Sequence, residues 1–245
     1  MSKILLEAPV FNLQAAMEAA QFGIDRLELC ANFPEGGETP SAGMLRFLKS
    51  EVDIPVFVMI RPRGGDFVYS QKELMVMKHD IQLLGELGAD GFVFGILDDK
   101  GKVDESACEW LLRAAGDKPC TFHRAFDASA DLEDSLERIV HLGFQRILTS
   151  GGRNSLSEGL SVIESLLEKA KDRIIIMPGG GTKAEHVPIL KKSGLLKEVH
   201  ASCKIAKPSP NQFVNSGLSF SSMPLDFSKH FGVDPALVNE FKAVL

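Results

Sequence analysis

The sequence predicts an α/β protein, a (β/α)₈ TIM barrel formed by a single domain over residues 1–245. Eight short and almost continuously apolar segments alternate with eight segments of helical pattern, as in a parallel sheet covered on both faces. Several helices end in a glycine a few residues before the next strand, at Gly23, Gly88 and Gly143. Because this spacing is even and no linker interrupts it, a closed barrel is favoured over two doubly wound halves.

In the first half of the chain, apolar runs predict strands at 3–7, 26–30, 55–60 and 91–97. Helices are predicted at 13–21, 41–49, 70–87 and 104–115. Asn12 and Ser41 stand at N-cap positions, and Ser70 with Glu73 three residues later has the capping-box pattern. These polar residues therefore mark where three of the helices begin.

In the second half, strands are predicted at 119–124, 146–150, 173–177 and 198–202. The helices that follow are predicted at 131–142, 156–171 and 183–192, with a last helix from residue 235 to the end. The segment 204–245 is thus expected to be an extended polar loop followed by that final helix.

Composition excludes several classes of protein. The net charge is −6, with 33 acidic and 27 basic residues, which argues against a nucleic-acid-binding protein. No window approaches the roughly 18 apolar residues of a membrane span. The four cysteines have no CxxC pair, which is typical of reduced thiols in a cytoplasmic protein. We therefore expect a cytoplasmic protein without nucleic-acid or membrane partners.

The segment Arg61-Pro62-Arg63-Gly64-Gly65-Asp66-Phe67 follows the third predicted strand and concentrates charge and glycine in seven residues. Arginine binds carboxylate or phosphate through its planar guanidinium, and glycine lets a backbone approach a ligand closely. We predict that Arg61 faces a pocket and that Arg63 and Asp66 bind substrate there. The alternative is that Arg63 and Asp66 pair with each other or with a neighbouring subunit.

Sequence parity indicates which side chains enter the barrel, because strand residues alternate between the lumen and the helix layer. Leu27 and Leu29 are apolar and should face the helices, which places Glu28 and Cys30 in the lumen. The same argument directs His200 and Ser202 inward, and we also place His123 inward. Carboxylate, imidazole and guanidinium groups in one pocket are suited to acid–base catalysis. The predicted catalytic residues are Glu28, Arg61, His123 and His200; the alternative is a polar plug that only stabilises the barrel.

A glycine run, Gly179 to Gly181, follows the seventh strand, where many barrels bind phosphate. It could equally form a tight turn without a ligand. Ser202-Cys203-Lys204 would be its companion after strand eight. The full predicted set for substrate or anion binding contains Arg63, Asp66, Arg124, Asp127, Ser150, Gly179, Gly180, Gly181 and Ser202.

Metal binding is a further hypothesis, with Cys30 and Cys203 as the predicted ligands. Thiolate is a soft ligand that selects Cu(I) or Zn(II). Cys30 ends strand two and Cys203 follows strand eight, so about 10 Å separates their strand axes. The remaining histidines, His79, His141, His186 and His230, are assigned to helices and are predicted to lie at the surface.

Seven motifs occur in order along the chain: ELC at 28–30, EGGETPS at 35–41, IRPRGGDFVYS at 60–70, TFHRAFD at 121–127, LTSGG at 148–152, MPGGG at 177–181 and EVHAS at 198–202. They resemble those of the CutC family, which is named for copper homeostasis. The resemblance implies a (β/α)₈ barrel, a cytoplasmic location and a homo-oligomer, either a dimer or a tetramer. It also implies Cu(I) binding, with Cys30 at the position of the cysteine ligand.

Two functions follow from these observations. The first is a Cu(I)-binding protein of copper homeostasis. The second is an enzyme that uses acid–base residues on a small phosphorylated or carboxylated metabolite, without an organic cofactor. An interaction scaffold is a third reading, which no sequence feature favours.

Overall fold

Eight short strands form one parallel sheet that curls into a nearly closed barrel in the computed structural model, which describes residues 3–213 and 228–245. The strands are β1 (Leu5–Val10), β2 (Arg26–Leu29), β3 (Val56–Met59), β4 (Gly91–Phe94), β5 (Cys120–Phe122), β6 (Arg146–Thr149), β7 (Ile175–Pro178) and β8 (Glu198–His200). Hydrogen-bonded neighbours follow chain order from β1 to β7, and β8 pairs with β1. Since β7 and β8 also lie side by side, the predicted (β/α)₈ barrel is confirmed.

The helices of the described residues are α1 (Leu13–Phe22), α2 (Ala42–Glu51), α3 (Gln71–Glu86), α4 (Glu105–Ala115), α5 (Leu132–Leu142), α6 (Leu156–Ala170), α7 (Val187–Leu190) and α8 (Pro235–Val244). The capping box at Ser70 is confirmed, since its hydroxyl accepts from the Glu73 amide and the Glu73 carboxylate accepts from the Ser70 amide. Gly23 and Gly143 end α1 and α5 in the left-handed conformation. None of these helices has the length and apolar character needed to cross a lipid bilayer.

Two regions differ from the predicted elements. The helix predicted at 183–192 is divided into a 3₁₀ turn, the four-residue α7 and a second 3₁₀ turn. Pro188 lies in the first turn of α7 and has no N–H to donate, so a continuous helix through this point would lack a hydrogen bond. The predicted C-terminal loop contains a ribbon outside the barrel, in which β9 (Lys204–Pro208) pairs antiparallel with β10 (Lys229–Val233). Part of that loop, residues 214–227, lies outside the described residues.

The interior has two apolar regions, as strand parity predicts. Leu27, Leu29 and Val199 belong to the large core between the barrel and the helices. Cys30 lies inside the barrel in a separate small cluster with Phe57, Met59 and Val93. The inward orientation of Cys30 is therefore confirmed.

Beneath the small cluster, the lumen is filled by charged side chains rather than by apolar ones. Arg26 is buried between the carboxylates of Glu7 and Glu198, and Arg146 contacts Glu198 at 3.1 Å. The guanidinium carbons of Arg26 and Arg146 lie 4.6 and 4.9 Å from the centre of the Phe57 ring. Because buried charges are costly unless they are paired, this network fixes the groups above it.

Candidate active site

A cavity of about 700 Å³ opens at the carboxyl ends of the strands, where barrel enzymes bind their substrates. The predicted residues that line it are Glu28, Arg61, His123, Arg124, Asp127, Gly180, Gly181, His200 and Ser202. Phe67 and Lys204, from the predicted loop and the segment after strand eight, also line it, as do Arg153 and Thr182, which the sequence did not indicate. The structure therefore brings all four predicted catalytic residues to one cavity.

Three buried side chains form a carboxylate–imidazole–carboxylate group at the base of the cavity. Nδ1 of His200 lies 2.8 Å from Oε1 of Glu7, and its Nε2 lies 3.7 Å from Oε2 of Glu28. Ligand atoms of all three residues lie within 4.8 Å of one another, close enough to hold a cation. Oε1 of Glu28 is buried without a protein partner among the described residues. We refer to Glu7, His200 and Glu28 as the buried triad.

The surroundings of Glu7 and Glu28 shift the pKa values of the two carboxyl groups in opposite directions. Burial raises the pKa of Glu28 to about 7, an effect that His200 only partly offsets. Burial also acts to raise the pKa of Glu7, but Arg26 and His200 outweigh it and lower that pKa to about 2. Burial opposes the charged form of His200, yet the neighbouring Glu28 and Glu7 carboxylates raise its pKa. One carboxyl group thus stays ionised while the other can exchange a proton near neutral pH.

Glu7 was not among the predicted catalytic residues, and neither were the charged residues below it. Arg26 has the same strand parity as Glu28, and Glu198 has the same parity as His200. Since parity places all of them in the lumen, counting charged residues by parity would have indicated the network. The pairing itself depends on strand neighbours, because Glu7 lies opposite both Arg26 and His200 in the sheet.

His123 contributes an imidazole whose tautomer is determined by the backbone. Its Nδ1 accepts a hydrogen bond from the Ala125 amide at 3.2 Å, so the ring proton lies on Nε2. That Nε2 is buried and has no protein partner among the described residues. Burial, followed by the positive charge of Arg61, lowers the pKa of His123 to about 3. The ring is therefore a neutral hydrogen-bond donor at the cavity wall.

Arg61 holds together the loops that surround the cavity. Its guanidinium donates to the carbonyl groups of Glu35 at 2.5 Å, Gly37 at 3.1 Å and Gly65 at 2.7 Å. The guanidinium carbon also lies 4.9 Å from the centre of the Phe67 ring. Because its terminal nitrogens already donate to carbonyl oxygens, Arg61 positions Phe67 and the loop at 61–67 rather than binding an anion.

The other two charged residues of this segment lie outside the cavity. Arg63 pairs with Asp66 at 3.0 Å and with Glu73 at 2.6 Å. Neither Arg63 nor Asp66 lines the cavity, because these contacts hold them toward the start of α3. They pair with each other, as the alternative prediction stated, and the structure does not bring them to the cavity.

Asp127 occupies the hydrogen-bond donors of the loop after β6. Its carboxylate accepts from the Ser150 hydroxyl at 2.9 Å, from the Gly152 amide at 2.9 Å and from Arg124 Nε at 2.8 Å. The Thr149 hydroxyl also donates to it, at 2.5 Å. Asp127 and Ser150 therefore bind each other and hold Arg124, and these donors at the start of the loop are not free for a ligand.

The glycine run after β7 lies against Arg124. The Gly179 amide donates to the Thr149 carbonyl and so continues the sheet. Gly180 and Gly181 have φ angles of 79° and 82°, which favour glycine. Among the described residues, no protein acceptor pairs with the amides of Gly180 and Gly181. A Cβ atom on Gly180 would lie 3.1 Å from the guanidinium carbon of Arg124, so the backbone reaches this cation closely.

The two cysteines predicted as metal ligands lie in different parts of the interior. Cys203 lies in the large core near α8, where burial, Asp234 and Glu240 raise its pKa to about 12. Cys30 lies in the separate lumen cluster, so the two thiols belong to different regions.

The surface position predicted for His186 is wrong. It is buried, with Nδ1 accepting from the Lys183 amide and Nε2 lying 3.0 Å from the Ser157 hydroxyl.

The fold and the cavity define a (β/α)₈-barrel protein with a buried carboxylate–imidazole group at the carboxyl ends of its strands. A family model described as the CutC family matches residues 4–205. The chain belongs to the CutC family, a set of proteins that includes relatives named for copper homeostasis.

Individual relatives agree with this assignment. The human copper homeostasis protein cutC homolog is 45% identical over 218 residues, which cover 89% of this chain and 80% of the relative. The family protein CutC of Salmonella schwarzengrund is 41% identical over 242 residues, covering 98% of this chain and 97% of the relative. The crystal structure of CutC from Streptococcus agalactiae matches with a TM-score of 0.75 at 39% identity, over 82% of this chain and 99% of that one.

The barrel is also similar to that of proteins outside the family. An aldolase named QR15 matches with a TM-score of 0.60, over 81% of this chain and 90% of that chain. At 15% identity this likeness shows the fold alone.

Proposed function

We propose that this CutC-family protein is an enzyme that performs acid–base chemistry on a small anionic metabolite bound at the mouth of the barrel. The observation that carries the proposal is the buried triad, in which Glu28 lines a cavity of about 700 Å³ and has a buried carboxylate oxygen without a partner among the described residues. A structural plug would be expected to satisfy its own polar atoms, as Arg26 and Glu198 do lower in the barrel.

Each of these residues around the cavity has a different role in the proposed chemistry. Glu28, whose pKa burial raises to about 7, exchanges the proton. Glu7 orients His200. Nε2 of His200 lies 3.7 Å from Oε2 of Glu28 and stabilises the ionised form of that carboxyl group. His123 donates a hydrogen bond from Nε2. Nε and Nη2 of Arg124 bind Asp127, Ser150 and the Arg153 carbonyl, so Nη1, beside Gly180, together with the amides after β7 is where an anionic group would bind.

Ligand-induced stabilisation of the fold tests this function. Thermal unfolding is followed with a panel of sugar phosphates and small carboxylates, with potassium chloride of equal ionic strength as the reference. A ligand present at 100 times its Kd should stabilise the fold by about 2.7 kcal/mol. Arg124→Gln should reduce this stabilisation, whereas Arg113→Gln, on the exposed face of α4, should leave it unchanged. If no compound in the panel raises Tm, the enzyme proposal is refuted.

Binding of Cu(I) is the second candidate, which the names of the relatives suggest and one cluster of side chains favours. Cys30 and Met59 belong to the same small lumen cluster, so a thiol and a thioether lie in one region. This donor set fits Cu(I), because thiolate and thioether are the soft ligands that select it. Burial and the nearby Glu28 raise the pKa of Cys30, so the ion would have to displace the thiol proton.

Anaerobic titration with Cu(I) distinguishes the two thiols. If Cys30 is the ligand, Cys30→Ser abolishes stoichiometric binding and Met59→Leu weakens it. Cys203→Ser, in the large core, then leaves binding unchanged. Stoichiometric Cu(I) binding that persists in Cys30→Ser refutes this candidate, and loss of binding in Cys203→Ser would restore the original pair of ligands.

We further propose that the protein works in the cytoplasm as a homo-oligomer. All four cysteines are unpaired, as expected in a reducing compartment. Large apolar side chains are exposed on the neighbouring helices α2 and α3, namely Phe47, Met75, Val76 and Leu83. Analytical ultracentrifugation tests the oligomer: Val76→Glu should shift a dimer or tetramer toward monomer, and a wild-type monomer at micromolar concentration would contradict the proposal.

A further inference from the structure

Glu28 and His123 both line the cavity, and each carries a buried polar atom of opposite hydrogen-bonding character. Oε1 of Glu28 and Nε2 of His123 both lack a protein partner among the described residues. A buried polar atom without a hydrogen-bond partner is unfavourable, so each atom is expected to meet a ligand. The carboxylate oxygen accepts a proton and the imidazole N–H donates a hydrogen bond. A matching ligand therefore presents an acidic hydrogen to Glu28 and an acceptor oxygen to His123.

The imidazole is held as a donor by its surroundings. The Ala125 amide occupies Nδ1 at 3.2 Å, and the ring packs against Phe67 with centroids 4.9 Å apart. Burial and Arg61 disfavour the charged form of the ring. A neutral imidazole stabilises negative charge that develops on an oxygen by hydrogen bonding, without having to transfer its own proton.

An acceptor oxygen next to a carbon acid is the arrangement found in a carbonyl compound. With the carbonyl oxygen at His123, the hydrogen on the adjacent carbon would face the Glu28 carboxylate. A carboxylate base combined with a neutral imidazole donor is an established arrangement for proton abstraction beside a carbonyl group.

The residues on the remaining wall of the cavity indicate that the substrate also has an anionic group. Arg124 lies against Gly180, whose amide and that of Gly181 have no protein acceptor among the described residues. Lys204 also lines the cavity, with its ammonium held 4.3 Å from the centre of the Phe33 ring. Backbone amides with a guanidinium group suit phosphate, which accepts several hydrogen bonds at once.

From this geometry we infer that the cavity catalyses reversible enolisation of a phosphorylated hydroxy-carbonyl compound, an aldose or ketose phosphate, with Glu28 as the base and His123 as the oxygen-binding donor. This inference rests on the proposed function and specifies its reaction and substrate class.

The step is balanced without any co-reactant. The carbon–hydrogen bond beside the carbonyl breaks, and its proton moves to Oε1 of Glu28. The electron pair of that bond forms the carbon–carbon double bond of an enediolate, whose oxygen accepts from Nε2 of His123. Return of the proton to the same carbon gives exchange or epimerisation. The aldose–ketose isomer forms when the hydroxyl proton on the deprotonated carbon's oxygen moves to the former carbonyl oxygen and Glu28 returns its proton to the former carbonyl carbon.

Hydrogen–deuterium exchange at carbon tests the inference directly. The full-length protein is incubated in D₂O with aldose and ketose phosphates of three to six carbons, in the presence of EDTA, and proton NMR follows the signal beside the carbonyl. We expect protein-dependent loss of this signal for at least one compound. The rate should fall about 10²- to 10⁴-fold in Glu28→Gln, the usual loss for a general base. It should also fall in His123→Phe, whereas His141→Gln, at the exposed end of α5, should retain the wild-type rate.

The outcomes separate this inference from the broader function. If sugar phosphates raise Tm but no exchange occurs, enolisation is refuted and the anion-binding enzyme of the preceding section stands. If no compound raises Tm, both fail. Undiminished exchange in folded Glu28→Gln, verified by far-UV circular dichroism, overturns the assignment of the base. Exchange that requires added divalent metal and disappears with EDTA overturns the metal-free step.

Discussion

Nδ1 of His200 lies 2.8 Å from Oε1 of Glu7, a residue 193 positions earlier in the chain. The contact joins the first and last strands of the barrel, because Glu7 and His200 are direct neighbours in the β1–β8 ladder. On its other side Glu7 binds Arg26, so one carboxylate orients the cavity imidazole and neutralises a buried guanidinium. The base of the cavity therefore depends on the closure of the barrel.

Glu7→Gln should destabilise the fold strongly. The substitution leaves Arg26 buried beside a neutral amide, and breaking a buried ion pair in this way costs about 3–5 kcal/mol. Urea unfolding at pH 7 measures the loss. Asp172→Asn, which removes an exposed partner of Lys197, should cause little change, and an equal effect of both variants would contradict the assigned role.

The same carboxylate predicts an acid-sensitive component of stability. The pKa of Glu7 is about 2 in the folded protein against an ordinary value of 4.5, so the folded state favours its ionised form. Its contribution is complete above pH 4.5 and is lost as the pH falls toward 2. Urea midpoints measured between pH 5 and the lowest pH at which the fold persists should fall more steeply for wild type than for Glu7→Gln. Parallel curves would show that Glu7 is not the responsible group.

His123 predicts a second acid-sensitive component, in a higher range. Its folded pKa is about 3, against 6.5 for an ordinary histidine, so the unfolded chain binds the proton more readily. Stability contributed by the neutral ring is complete above pH 6.5 and declines as the pH falls toward 3. Nitrogen NMR of the imidazole should show one unchanged tautomer, protonated at Nε2, from pH 5 to pH 8. A ring that titrates near pH 6.5 would contradict the buried environment.

Gly180→Ala should weaken phosphate binding and destabilise the fold. The residue has a φ angle of 79°, and a Cβ atom would lie 3.0 Å from Ser150 Cβ and 3.1 Å from the Arg124 guanidinium carbon. Gly194→Ala is a matched control, because its φ angle is 70° but no heavy atom lies within 4 Å of the added Cβ. Both variants carry a backbone penalty of about 1–2 kcal/mol. Only Gly180→Ala should lower the Tm shift produced by a sugar phosphate, and equal binding by both variants would exclude this loop.

The sequence allowed much of the fold to be predicted because it depends on local pattern. Apolar runs placed the eight barrel strands, and alternation within them assigned Cys30 and Leu29 to opposite faces, as the structure shows. Capping at Ser70 is equally local, since it needs only a hydroxyl and a carboxylate three residues apart. The helix predicted at 183–192 failed because one proline, Pro188, outweighs the surrounding helical pattern.

The site was predicted in part. Parity and position at strand ends indicated Glu28, His123 and His200, all of which line the cavity. Composition alone grouped Arg63 and Asp66 with them, yet the two residues pair with each other outside the cavity. A charged residue in a glycine-rich loop can point either way, because such a loop has no fixed alternation of side chains.

What the sequence determined by itself, then, was the barrel, the lumen-facing positions and the family, all of which follow from short-range patterns and motifs. Only the tertiary structure decided which charges meet. It placed Glu7 between Arg26 and His200 and paired Asp127 with the donors around Ser150. It also left Oε1 of Glu28 and Nε2 of His123 without a partner among the described residues. The physical reason is that a charged group's partner depends on distance through space, and closure of the barrel sets that distance between residues nearly 200 positions apart in the chain.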